Sequence, residues 1–318
     1  MRSVAELGSA SADRTADATH NVAAIDIGTN SVRLLITDEN GRELMREMQI
    51  TRLGQGVDVS GSLHADAIAR TLAVLERYRH ELERLQVRRV RATATSAARD
   101  AKNSAAFFDG AEHALGHRPE LLSGSEEALL SFRGATDGLA SVAEGPYLVI
   151  DIGGGSTEFV LGEQQPEQLI SVNMGCVRMA ERHLHDDPPT PAQLHACFQD
   201  VRQILQQVQS VIDVARARTV VGLAGTITAL SYLHKGLKQY DPSQTHRSRL
   251  SRAQVEVLFA RLSTADLAAR REMLAEPKRA EVIVGGAAVL VTLMRELSID
   301  SLLVSESDIL DGLAASLR

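Results

Sequence analysis

The chain has 318 residues, 44% of them hydrophobic and 24% charged, a balance that excludes wholesale disorder and leads one to expect about two domains. Its net charge of −7, the absence of tryptophan and an aromatic content of 3% exclude a general nucleic-acid binder, whose footprint is basic, and an aromatic base-stacking platform. No apolar run reaches the ~20 residues of a membrane span, the N-terminus lacks a signal-peptide apolar region, and Cys176 and Cys197 alone cannot form a disulfide framework, so a reducing, cytoplasmic setting is the expectation.

Residues 1–20 are small and polar, with little periodicity, and read as a mobile tail. Structure is expected from Val22, where an apolar run leads into Asp26-Ile27-Gly28-Thr29-Asn30-Ser31. Period-two alternation through Val32, Leu34 and Ile36 predicts a strand after this loop, and Asn40-Gly41 predicts a hairpin to a returning strand that ends at Ile50. Helical spacing of Ile68, Leu72, Leu75, Leu82 and Leu85 predicts a helix over 64–85. A strand over 87–94, a helix over 97–115 and a short strand ending at Leu121-Leu122 follow. Ser123 and Glu126 then form the Ser-x-x-Glu pattern of a capping box opening another helix.

After Glu144-Gly145-Pro146 the opening pattern returns: the strand over 147–150 enters Asp151-Ile152-Gly153-Gly154-Gly155-Ser156, and a second strand starts at Thr157. The two Asp-Ile-Gly loops, 125 residues apart, suggest duplicated halves. Pro188-Pro189-Thr190-Pro191 opens a helix through about Val214, which precedes a strand leading into Gly225-Thr226.

The strand–loop–strand setting excludes a dinucleotide-binding fingerprint or a Walker loop, both of which need a helix after the glycines. Glycine lets backbone N–H groups approach an anion unobstructed, and Thr29, Asn30, Ser31, Ser156 and Thr157 add side-chain donors. Asp26 and Asp151 sit at strand ends, where a carboxylate can hold Mg²⁺ or its water. Two facing loops would grip successive phosphates or a phosphate–metal unit; the alternative for either loop alone is a tight glycine hairpin. Gly225-Thr226, as a helix N-terminus, offers further N–H groups to phosphate, or forms an ordinary strand-to-helix turn. Arg88, Arg89, Arg91 and Arg99, and likewise Arg247, Arg249 and Arg252, are either solvated faces or a path for a polyanion.

Together AAIDIGTNSVRLLI, RATATSAARDA, LLSGSEEALLSFRGA, LVIDIGGGSTEFVLG, SVNMGCVRMAER, GLAGTITAL, KRAEVIVGGAAVL and VSESDILDGL, in that order, resemble the exopolyphosphatase / guanosine pentaphosphate phosphohydrolase (Ppx/GppA) family. The resemblance covers Ala23 to about Leu313 and takes the short form, without the C-terminal HD-type domain of longer members. It implies an α/β fold of two RNase-H-like domains of the actin–sugar-kinase–heat-shock ATPase superfamily flanking a cleft. The first would span 21–142, with 303–318 packing back on it, and the second 143–302.

By the same resemblance Glu127 is the catalytic base, Arg99 contacts phosphate, and Asp151, Gly153 and Glu158 belong to the metal and phosphate loop. A helix N-terminus is expected to keep Glu127 ionised, while Glu126 fits the capping role. Arg178 and Arg279 are second-domain contacts or surface salt bridges. The function implied is Mg²⁺-dependent hydrolysis of the terminal phosphate of inorganic polyphosphate. The alternatives are guanosine pentaphosphate hydrolysis at the same site and, in a different class, an actin-like nucleotide-binding or phosphate-sensing protein. General base rates make a homodimer possible.

Overall fold

The computed structural model of the protein describes residues 21–239 and 241–318; the expected tail over 1–20 lies outside the described residues. The first half builds a sheet from β1 (Val22–Ile27), β2 (Ser31–Thr37), β3 (Glu43–Ile50), β4 (Arg89–Ala94) and β5 (Glu120–Leu121), ordered β3-β2-β1-β4-β5. β1 runs antiparallel to β2 and parallel to β4. The second half repeats this plan with β6 (Tyr147–Ile152), β7 (Thr157–Gly162), β8 (Pro166–Val172) and β9 (Thr219–Leu223). β10 (Arg249–Ser251) is an added antiparallel edge, and β11 (Ser301–Val304) takes the fifth position, in the order β10-β11-β9-β6-β7-β8. β6 is antiparallel to β7 and parallel to β9, as β1 is to β2 and β4. Two RNase-H-like units of the actin-type superfamily therefore flank a cleft, and their duplicated hairpin loops both open on it.

In the first half, α1 (Val57–Ser60), α2 (Ala65–Arg84), α3 (Ser96–Asp100), α4 (Ser104–Leu115) and α5 (Gly124–Thr136) connect the strands. α2 buries Ala67, Thr71, Val74, Leu75, Tyr78 and Leu82, the stripe its periodicity requires. The helix expected over 97–115 is broken into α3 and α4. Ala101 is extended, and Asn103 reaches the backbone of Leu63, accepting its N–H at 2.8 Å and donating to its carbonyl at 2.9 Å. Those bonds to a distant segment draw the chain out of the helix, and local propensity cannot foresee them.

The second half adds α6 (Cys176–His183), α7 (Pro191–Val211), α8 (Ala224–Lys235), α9 (Pro242–Thr245), α10 (Arg252–Thr264), α11 (Leu267–Met273), α12 (Ile283–Glu296) and α13 (Ile309–Ala315). α12 is buried on every side from Ile283 to Met294 and forms the centre of this core. Its Gly285 and Gly286 serve close packing: a Cβ on Gly285 would lie 2.6 Å from the Cys176 carbonyl oxygen, and one on Gly286 would collide with the Thr226 hydroxyl.

α5 and α13 join the halves. Ala128, Phe132 and Ala135 of α5 pack with Val149, Val160 and Val221 of the second sheet. Leu130 of the same helix packs with Leu310 and Leu313 of α13 and with Ala24 and Leu35 of the first sheet. Leu303 and Val304 remain paired in the second sheet before the chain crosses back. Of the first arginine cluster only Arg99 comes near the cleft, beside Glu127: Arg89 pairs in register with Val22, at the end of the sheet opposite the loops, and Arg91 binds Glu120 at 3.0 Å. Arg252 binds Asp300 at 2.9 Å.

Candidate active site

The two hairpin loops are built alike. Gly28 N–H donates to the Ser31 carbonyl at 2.9 Å, and Gly153 N–H to the Ser156 carbonyl at 3.0 Å. The other loop carbonyls are tied back behind the cleft. Thr29 O accepts Gly54 N–H at 2.9 Å, and Asn30 O accepts the N–H groups of Thr51 at 3.1 Å and Arg52 at 2.9 Å. In the second loop Gly153 O accepts Cys176 N–H at 2.9 Å, Gly154 O accepts Val177 N–H at 2.9 Å, and Gly155 O accepts Arg178 Nε–H at 2.7 Å. A trans peptide turns its N–H opposite to its carbonyl. The N–H groups of Asn30, Ser31, Gly154, Gly155 and Ser156 therefore face the cavity that both loops line. Gly154 presses on the first loop so closely that a Cβ there would lie 2.8 Å from Thr29 Cβ and 3.1 Å from Asn30 N.

Gly225 and Thr226, in the first turn of α8, close the third side, and Arg279 lies against Gly225, where a Cβ would displace its guanidinium. Several buried polar atoms around this cavity lack a hydrogen-bond partner: Asp26 Oδ1, Thr29 Oγ1, both polar atoms of the Asn30 amide, and Ser96 Oγ. Native interiors rarely leave such groups unpaired, so their concentration here marks a place for a polar ligand.

Five carboxylates meet below the loops. Strand register sets Asp26 opposite Arg33 and Asp151 opposite Glu158, so one position carries a cation in the first half and an acid in the second. Arg33 donates to Asp26 at 2.7 Å and also pairs with Asp308, from the turn before α13. Asp151 accepts the Ser131 hydroxyl at 2.8 Å. Glu158 is 1% exposed, accepts from Ser171 at 2.7 Å, and keeps Oε2 buried without a partner, behind the cavity wall. Glu127 rises from the first turn of α5 into the cavity, with Arg99 at 3.3 Å. Its neighbour Glu126 closes the capping box with Ser123 and stays exposed.

Burial raises the acids together. Burial first, then the charges of Glu158 and Asp26, pushes Glu127 well above the usual carboxylate range. Desolvation and neighbouring acids thus act against the ionised form that the helix N-terminus was expected to favour. Asp151 is pushed up to about 6, by burial and then Asp308, and Glu158 to about 8, by burial and then Asp151. Burial raises Asp26 as well, against the pull of Arg33.

Hard oxygen donors suit Mg²⁺, which takes one or two carboxylates and fills its remaining positions with water and phosphate oxygens. Asp26 and Asp151 on the cavity, with the unpartnered oxygen of Asp26, fit that chemistry, whereas Glu158, expected among the metal ligands, lies behind the wall and does not line the cavity. Among the described residues no three acidic, histidine or cysteine side chains form a ready-made metal cage.

The model of the Ppx/GppA phosphatase family matches residues 35–317. The chain belongs to this family. Exopolyphosphatase 2 of Mycobacterium tuberculosis is 45% identical, over 93% of this chain and 98% of its own length. A guanosine-5'-triphosphate,3'-diphosphate pyrophosphatase of Aeromonas salmonicida is 30% identical over 92% of this chain, which spans 58% of that protein. Among solved structures, an exopolyphosphatase from Cytophaga hutchinsonii superposes with a TM-score of 0.86 at 26% identity, covering 94% of this chain and 97% of that one. An Aquifex aeolicus Ppx/GppA protein superposes with a TM-score of 0.76 at 31% identity, covering 94% and 98%. The Ppx/GppA chain is thus a phosphoanhydride hydrolase, and the reading as a binding protein without chemistry gives way.

The cavity gathers Asp26, Gly28, Thr29, Asn30, Ser31, Glu127, Asp151, Gly153, Gly154, Gly155, Ser156, Gly225 and Thr226 from the residues expected at the site. Thr157 is corrected: its hydroxyl turns behind the loop and donates to the Met174 carbonyl, because the residue after Ser156 already follows the strand alternation. Arg99 stands behind Glu127, donating also to Leu122 O at 2.9 Å, and does not line the cavity. Arg279 lines it; Arg178 does not. Sequence reasoning missed Arg33, Thr95, Ser96 and Asp308; the signal for Arg33 was its place seven residues after Asp26, matching Glu158 after Asp151.

The acid cluster makes a pH prediction for the metal-free Ppx/GppA protein. From the usual carboxylate range up to about pH 6 for Asp151 and about pH 8 for Glu158, the folded state holds protons that the unfolded state has released. Stability therefore falls as pH rises through this window. Thermal melts in chelator from pH 5 to 8.5 should show the decline, and Glu158→Gln should flatten it and raise the melting temperature at the alkaline end. A decline of equal slope in the variant removes Glu158 as its source.

Proposed function

We propose that the protein is an Mg²⁺-dependent exopolyphosphatase that removes the terminal phosphate of inorganic polyphosphate by attack of water. The observation that carries this reading is the pair of opposed glycine loops, whose carbonyls are tied back and which line one cavity together with Glu127. In this reading the N–H groups and the Thr29, Asn30 and Ser156 side chains hold the terminal phosphoryl group, and Arg279 and Thr226 hold oxygens from the opposite wall. Glu127 accepts the proton of the attacking water, and Arg99 sets its carboxylate. A base raised toward working pH is suited to that transfer. Asp26 and Asp151, backed by Glu158, would hold Mg²⁺, which offsets phosphate charge when bound. The 45% identity to an exopolyphosphatase across almost its whole length supports polyphosphate as the substrate.

A second reading, guanosine pentaphosphate as substrate, has one observation of its own. Next to the cavity lies a chamber of about 240 Å³ with Met48, Ala224 and Leu310 on its wall, where Arg33, Arg46 and Arg279 balance Glu47, Glu306 and Asp308 in charge. A chamber of that character accepts a nucleoside better than a run of phosphates. Phosphate release with Mg²⁺ from polyphosphate and guanosine pentaphosphate in parallel decides between them. Release from polyphosphate at the higher kcat/KM is the expected result; release from the nucleotide alone overturns it.

A further inference from the structure

Arg178 is used by none of the steps above, yet all three of its guanidinium nitrogens are engaged at the junction of the halves. Its side chain is 10% exposed and touches three groups. Nε donates to the carbonyl of Gly155, and the two terminal nitrogens pair with Asp58 of α1 and Asp100, the last residue of α3. One guanidinium thus ties the second glycine loop to two points of the first half. Both attachments matter for the cavity. The bond to Gly155 O turns the Ser156 N–H toward the phosphate position, since they share one peptide plane. Asp100 ends the short helix that begins at Ser96, and Ser96 faces Gly155 so closely that a Cβ there would lie 2.5 Å from its hydroxyl. The same face of α6 reaches across twice more. Glu181 accepts Gly56 N–H at 3.0 Å, and Arg182 pairs with Asp58 and Asp200 at 2.9 and 2.8 Å. Those contacts hold the halves together; Arg178 alone also grips a loop that lines the cavity.

We propose that Arg178 is a positioning residue for phosphoanhydride hydrolysis: its planar fork fixes the second glycine loop against α3 and so sets the spacing of the cavity's donors, without touching substrate. Lysine cannot replace it, because a single ammonium does not span three acceptors held by a rigid fork. The inference rests on the cleft being the hydrolytic site, and the unaltered enzyme's turnover of polyphosphate or guanosine pentaphosphate tests that first; silence there defeats the functional reading and leaves the exchange measurement below to judge Arg178.

The test compares Arg178→Gln, Arg178→Lys and Asp100→Asn by steady-state kinetics, thermal melting and amide hydrogen exchange. A displaced donor set lowers kcat by about 10²-fold in the first two variants, as misplacement by ~1 Å does, with KM moving little. Asp100→Asn, which keeps the bond to Gly155, gives an intermediate loss and serves if Arg178→Gln does not fold. Exchange should quicken at 153–156 and 96–100 but not in the strands behind them. A lower melting temperature with wild-type kcat in the folded enzyme overturns the proposal in favour of simple interdomain glue. A raised KM at unchanged kcat overturns it in favour of direct substrate binding, and unchanged exchange in the loop overturns it outright.

Discussion

Replacing Glu127 with glutamine should abolish most turnover, by about 10²–10⁴-fold in kcat, while leaving KM for polyphosphate nearly unchanged. Glutamine keeps the length and the acceptor oxygen that Arg99 meets at 3.3 Å, so the cavity's shape is preserved. It cannot take a proton from water. It also removes an ionisable group from a buried acid cluster, so the variant should melt no lower than the parent. Wild-type dependence on pH carries the same signature. The base must be ionised to act, and burial and the acids around it raise its pKa. The acidic limb of kcat/KM should then lie well above the usual carboxylate range, with activity rising as pH rises through it, and should vanish from the residual rate of Glu127→Gln. Turnover within threefold of the parent would sink the assignment and shift proton acceptance to another group, such as an oxygen of the substrate itself.

Much of this site was legible because short-range chemistry dictated it. An apolar strand ending in Asp-Ile-Gly, followed by period-two alternation, leaves a hairpin as the simplest solution, and β1–β2 and β6–β7 are those hairpins. The capping box at Ser123 assigned Glu126 to a structural role, while Glu127 as the base followed from the family resemblance, and the structure places it on the cavity. What could not be read depends on partners distant in the chain. Arg99 carries a charge suited to phosphate, but only packing reveals that it serves Glu127 and the Leu122 carbonyl. Arg33 gains its meaning from Asp308, 275 residues away. The raised pKa of Glu127 arises first from its burial and then from Glu158 and Asp26 on two other strands, none of which is legible in one helix's first turn. The break after Asp100 and the seating of α5 between the second sheet and α13 are likewise tertiary.

A single methyl group at Gly154 should be nearly as damaging as loss of the base. The φ of this glycine is not in the left-handed region, so alanine carries no backbone penalty there; the obstacle is space. Its Cβ would sit 2.8 Å from Thr29 Cβ and 3.1 Å from Asn30 N, atoms of the opposing loop's own backbone and branch point, which cannot swing aside as the end of a long side chain can. Relief must come from parting the loops. Because the Gly154 carbonyl is anchored to α6, the loop cannot simply slide along its own half, and the separation passes into the spacing between the two sets of N–H donors. Overpacking of this kind costs about 1–3 kcal/mol in stability. The loss of registered donors should cost about 10²-fold in kcat, since transition-state stabilisation by fixed dipoles depends on their placement. Gly110→Ala in α4 is the control: its Cβ meets only the flexible end of Leu72, at 3.0 Å, and turnover should not change. Wild-type kcat in Gly154→Ala, with the fold intact, would show that the two loops act independently. A loss confined to KM would assign their contact to holding the substrate rather than to the chemical step.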